Sequence, residues 1–310
     1  MIAHVIAIML AGATEPAGAS RAKVFAPGVI SAGSSDAAPT FSPKGDEVFF
    51  ERSNGQSYAI MRSRKTRGGW SKPSVASFSG RWLDLESAMS ADGSYLVFSS
   101  NRPAETGARP IDGFYDSKRQ AGKGGALWRV DRAHGKWGDP HRLPASVNIS
   151  TSIYEPSLAA SGDIYFQSAD ADGKQFHLYV ARAKGKGYER AEQLKLHGPA
   201  GSSDMDPCIA RDGSFLLFSS DRESGAAHRL FIAFRTDDGW SDPRPLGADV
   251  NSGSAGDPRL DEAHHLLYFV SRRLAPATGN ARKDLDRSAR WNNGLSNIWS
   301  VSFDPSAWKN

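Results

Sequence analysis

Four acidic residues recur along the chain at a nearly regular interval: Glu86, Glu155, Asp206 and Asp257. Each stands at the head of a short apolar run, and the last three are followed directly by proline. Ala38 opens a fifth run of the same form, so the five starts are separated by 48, 69, 51 and 51 residues. Asp36, Asp84 and Asp204 precede three of these starts by two positions. Carboxylates gathered in one place repel one another unless a cation or a guanidinium stands between them. Three chemistries are therefore open: neutralisation by Arg102, Arg222 and Arg273, which share one equivalent position; a bound calcium or other cation; or a polar organic ligand. No other cofactor is expected. Two carboxylates held about 5 to 9.5 Å apart would also suffice for glycoside hydrolysis. Tyr154, beside Glu155, could act with the three arginines as the base of a polysaccharide lyase.

The elements that would position these groups repeat with them. The segments APTFSPKGDEVFF from Ala38, ESAMSADGSYLVFSS from Glu86, EPSLAASGDIYFQS from Glu155, DPCIARDGSFLLFSS from Asp206 and DPRLDEAHHLLYFVS from Asp257 each pair a short strand with a second apolar strand. All but the last carry a glycine in the turn between them. A third alternating strand follows in every unit, and an outer strand with an aromatic residue follows in four of them. A unit of about 50 residues and four strands is the size of a propeller blade. The pattern predicts an all-β protein, a single five-bladed β-propeller of four-stranded antiparallel blades at about 36–83, 84–150, 151–200, 201–250 and 251–304. The last unit lacks an outer strand, and the segment 23–31 is expected to fill its place. Such closure hides the sheet edges.

These residues resemble the TolB-like, WD-type propeller repeat family, whose repeat has an acidic-Pro step, Ser-Pro-Asp-Gly, and an apolar strand ending in Ser-Asp-Arg. The best matches are Asp206-Pro207 through Ser219-Ser220-Asp221-Arg222, and Ala91-Asp92-Gly93 through Ser99-Ser100-Asn101-Arg102. The first unit departs with Ala38 and Ser53-Asn54, the third with Ala169-Asp170, and the fifth with Arg272-Arg273. The resemblance implies a role in envelope complexes, with an envelope protein or a glycan as partner. Propellers of this type host binding proteins, scaffolds and enzymes alike, so a carbohydrate-active enzyme stands beside the binding module as the alternative.

Residues that recur in every blade maintain the blade; exceptions to the pattern carry more information about function. Trp70, Trp137 and Trp240 recur on the outer strands and are expected to pack between blades. Two insertions do not recur, 102–125 in the second unit and 272–294 in the fifth. Both follow a second strand and so should emerge on one face, where a repeat protein's binding surface lies. They carry Tyr115 and Trp291 among charged groups, as a sugar or a peptide would require, although a solvated loop would also explain them.

Length and composition fit one domain of this kind, with 31 Gly and 17 Pro among 310 residues leaving room for many turns. The formal charge of +4 is spread along the chain and not clustered, which excludes a nucleic-acid partner. A single cysteine, Cys208, rules out an internal disulfide. The apolar run Val5–Leu10 followed by Ala17-Gly18-Ala19 reads as a signal peptide over 1–19. That places the protein in the periplasm or outside the cell as a monomer without a membrane span.

Overall fold

The computed structural model describes residues 22–223 and 227–309. The proposed signal peptide lies outside them. Five small antiparallel sheets surround one axis, each with its first three strands in chain order from the inside outward. The inner strands are Ser35–Phe41, Asp84–Met89, Ile153–Leu158, Asp204–Ile209 and Gly256–Asp261. The second strands are Glu47–Ser53, Tyr95–Ser100, Ile164–Ala169, Phe215–Ser220 and Leu266–Ser271, and the third are Tyr58–Thr66, Ala126–Ala133, Phe176–Ala181, Arg229–Thr236 and Asn297–Ser302. Short outer strands such as Lys136–Trp137 and Gly239–Trp240 complete the blades.

The second strands are buried almost throughout, because each is covered by the sheets on both sides. Phe49, Phe50, Phe98, Phe166, Phe218 and Phe269 are inaccessible to solvent. Clusters of these residues join neighbouring blades: Phe49 and Ile60 of the first blade pack with Leu96, Phe98 and Trp128 of the second. The outer tryptophans lie at these junctions as expected. Trp137 of the second blade meets Phe49 edge-on at 5.5 Å, Trp240 packs on the cluster between the third and fourth blades, and Trp70 meets Phe25. Cys208 is buried in the core.

The ring closes where the sequence placed the closure, over a shorter stretch. Lys23 and Val24 pair antiparallel with Ser300 and Trp299. Phe25 then enters the seam between the fifth and first blades, against Phe41, Trp70 and Tyr268. Across the same seam the Asp36 N–H donates to Ser296 O.

The two insertions are folded. Residues 113–120 form a hairpin of Gly113–Tyr115 and Lys118–Gln120, where the sequence also allowed a solvated loop. The hairpin stands apart from the blades and adds none. It leans on the third blade through Ser152, whose hydroxyl bonds both the N–H and the carbonyl of Phe114. The fifth-blade insertion contains the helix Ala281–Arg290, capped by the Asn280 side chain.

Phe25→Ala removes the ring that seals the closing seam and should cost roughly 2–4 kcal/mol. Denaturant unfolding of the two proteins measures it; an unchanged midpoint would mean that the ring does not close through this segment.

Candidate functional site

Every inner strand contains a bulge at the same place. Register slips between Ala37 and Thr40, Leu85 and Ala88, Tyr154 and Ser157, Met205 and Cys208, and Gly256 and Arg259. The first bulged residue is left-handed in all five: Ala38, Glu86, Glu155, Asp206 and Asp257 have φ between 44° and 54°. That conformation costs a non-glycine residue of order 1–3 kcal/mol and persists only where its surroundings fix it.

A contact between blades supplies the fixing. The Glu155 N–H donates to Glu86 Oε2 at 2.8 Å, the Asp206 N–H to Gln167 Oε1 at 2.6 Å, and the Asp257 N–H to Asp206 Oδ2 at 3.3 Å. The Glu86 N–H is accepted by the carboxylate of Glu51. Around four of the five junctions, then, a side chain of one blade takes the left-handed N–H of the next.

Glu51 and Arg259 complete this axial cluster, and neither was among the sequence candidates. Glu51 stands in the second strand across from Ala37, where the other blades have Ser99, Gln167, Ser219 and Val270. It supplies the carboxylate that Ala38 lacks. Gln167 does the same work in the third blade, which releases Glu155 to pair across the axis with Arg259 at 2.5 Å. Both signals were present in the sequence as charges inside apolar strands, VFFERS and DPRLDE.

The repeated arginines neutralise a different set of acids. Arg102 pairs with Asp84 and Arg222 with Asp204, each at 2.6 Å. Their guanidinium groups lie over Phe98 and Phe218 and donate to the linker carbonyls of Phe78 and His197. In the first blade Arg52 takes this place and pairs with Asp36 at 2.6 Å. Arg273 keeps the position without an acid, donating to Asp249 O and Ser252 Oγ over the ring of Trp299. These side chains latch each incoming linker to its blade and do not reach the axial carboxylates.

Tyr154 is buried, and its hydroxyl donates to Lys123 O of the hairpin insertion at 2.6 Å. Its ring meets Tyr115 edge-on and Phe176, so Tyr154 and Tyr115 together seat the insertion on the third blade. Trp291 ends the insertion helix, stacked under Arg287.

Five carboxylates and one guanidinium therefore share the axis. Burial and the neighbouring charges raise Glu51 to about 8 and Asp206 to about 6, and hold Glu86 and Asp257 well above the usual carboxylate range. Glu155 is enclosed, whereas the other four keep partial exposure, so a water-sized space touches the cluster. One carboxylate oxygen from each of Glu155, Asp206 and Asp257 falls within 4.8 Å of the others, a spacing that one cation could bridge.

The sign of the pH dependence follows. Groups whose pKa is raised by folding favour the folded state below about pH 4.5, and that contribution is lost as pH rises toward about 8. Stability should fall between pH 5 and 8, and Glu51→Gln should flatten the fall. Thermal melts across this range read it; a rise with pH in the native chain would refute the protonated cluster.

No protein-family model matches the chain, and no curated protein matches it. Solved structures do. A protein described as TolB from Agrobacterium tumefaciens aligns over 77% of this chain and 70% of its own, at 16% identity and a TM-score of 0.50. TolB from Acinetobacter baumannii aligns over 87% of this chain at 15% identity and the same TM-score, and this chain spans 55% of its length. An endo-arabinase from Bacteroides thetaiotaomicron aligns over 80% of this chain and 93% of its own, at 15% identity and a TM-score of 0.48. The likeness to the two TolB proteins shows the propeller fold.

Proposed function

We propose that the protein is an exported binding module that offers its insertion-bearing face to an envelope protein. One observation carries this reading. Among the described residues five large hydrophobic side chains are exposed, and four lie in or beside the two insertions: Phe114 in one, Leu274, Leu285 and Leu295 in the other. Both insertions leave the disc at the same connection, after the second strand, so they share a face. Exposed apolar groups that gather into one patch mark a site of association; we read these four, which share a face, in that way, and their apolar character favours a protein partner over a glycan. Export rests on the apolar N-terminal run and its small-residue site. No helix among the described residues is long and apolar enough to cross a membrane.

The enzyme reading is weaker for a physical reason. A catalytic carboxylate must be free to accept or donate a proton, and Glu51, Glu86 and Asp206 accept main-chain N–H groups while Glu155 holds Arg259. A cation at Glu155, Asp206 and Asp257 would stabilise the disc by offsetting carboxylate repulsion. Calcium should then raise the melting temperature at pH 8 more than at pH 5, with EDTA reversing the effect; equal melts in calcium and EDTA at both pH values would exclude it.

Photo-crosslinking in producing cells tests the face. A crosslinking residue at Phe114 and another at Leu285 should capture a protein of one and the same mass, while the control at Val75, exposed on an outer strand, captures none. Adducts from Val75 alone, or from none of the three, would contradict the assignment.

A further inference from the structure

Away from the axis and from the insertions, three arginines crowd one acid. Glu47 opens the second strand of the first blade and is 5% exposed. Arg64, directly across the ladder, and Arg62, two residues before it, both donate to Glu47 Oε1, Arg64 through Nε at 3.0 Å. Arg132, from the third strand of the second blade, brings Nη1 to 3.1 Å from Oε2, so the group bridges two blades. It lies where a second strand begins, whereas both insertions leave where second strands end. The cluster is therefore on the opposite face and does not depend on the docking proposal.

Three guanidinium charges meet one carboxylate here, and a guanidinium does not give up its proton. Although burial opposes it, the three arginines hold the Glu47 carboxyl below its usual range, so the acid is ionised and the cluster keeps an excess of two positive charges. Among the described residues no second acid pairs with these arginines. Asp46 is engaged by the Ser42 hydroxyl, with Lys44 beside it. What the cluster offers a ligand is one-sided. Arg64 uses only Nε, and its side chain, 62% exposed, carries both Nη groups into solvent without an acceptor. Arg132 lies over the face of Trp137 with Nη2 likewise free. Of the unpartnered nitrogens on the three arginines only Arg62 Nε is sealed from solvent. Glu47 adds no competing acceptor, because Oε1 is taken twice and Oε2 is sealed.

We infer that this cluster binds a dianionic phosphate group, as inorganic phosphate or as a monoester, held by the free Nη groups of Arg64 and Arg132 across the seam between the first and second blades. Two negative charges match the excess, and the planar fork of a guanidinium presents parallel donors to two phosphate oxygens at once. A monocarboxylate would cancel only half of it.

Calorimetric titration at fixed ionic strength with phenyl phosphate, inorganic phosphate and benzoate reads this out. Both phosphates should bind at least about tenfold more tightly than benzoate, a difference of about 1.4 kcal/mol, and the preference between the two tells an ester from the free ion. Arg64→Ala and Arg132→Gln should each weaken the phosphates at least about tenfold. Arg190→Ala, which removes an exposed arginine of the third blade, should leave them unchanged. An exposed ion pair contributes little to stability, so Arg64→Ala should stay folded, as circular-dichroism melts of each variant check. Equal binding of the phosphates and benzoate, no phosphate binding, full binding by folded Arg64→Ala, or an equal loss in Arg190→Ala would each overturn the assignment.

Discussion

One hydrogen bond organises the disc: the main-chain N–H of a left-handed residue in one blade, accepted by a side chain of the blade before it. A bulge at the axis turns one peptide out of its sheet, and a buried N–H without a partner is costly. Proline follows the left-handed residue in four blades, Pro39, Pro156, Pro207 and Pro258. Since proline has no N–H, the bulge leaves a single donor to be satisfied. An acidic side chain is the acceptor in three junctions and Gln167 in a fourth. The fifth junction is the seam where the ring closes, and there main-chain pairing of Lys23 and Val24 holds the blades.

The asymmetries of the molecule follow from this repeated bond. Because Ala38 brings no carboxylate, Glu51 must supply one from the neighbouring strand. Because Gln167 serves the third junction, Glu155 is released to the opposite side of the axis, where it holds Arg259. A second tier of bonds between blades, made by Thr40, Ser157 and Cys208, repeats the scheme one pleat further along each inner strand. The axis is thus committed to holding the blades together.

Much of the fold was legible because a propeller repeats its local rules in every blade. The acidic-Pro step recurs in three units, the outer aromatic in four and the apolar second strand in all five, and a pattern repeated so often needs no tertiary knowledge to be noticed. Glu51, Arg52 and Arg259 were missed because each acts where its own blade departs from the pattern, and what each replaces is visible only in three dimensions. Arg52 reaches Asp36 from the position across from it in the next strand, whereas Arg102 and Arg222 stand two residues farther along. The hairpin was missed for a local reason. Its turn residues Asp116 and Ser117 both adopt positive φ, the geometry of a tight hairpin, but without the Asn-Gly or Asp-Gly pair that normally announces it.

The claim that the axial carboxylates act as acceptors between blades, and not as charges, is tested most directly at Glu86. Its Oε2 takes the Glu155 N–H. Denaturant unfolding at pH 7 should show Glu86→Gln as stable as the native chain or more so, because the amide oxygen keeps the bond and the cost of holding a buried carboxyl protonated at this pH is removed. Glu86→Ala, which leaves the N–H unmet, should lose about 1–3 kcal/mol. Equal losses in the two variants, or none in Glu86→Ala, would contradict it.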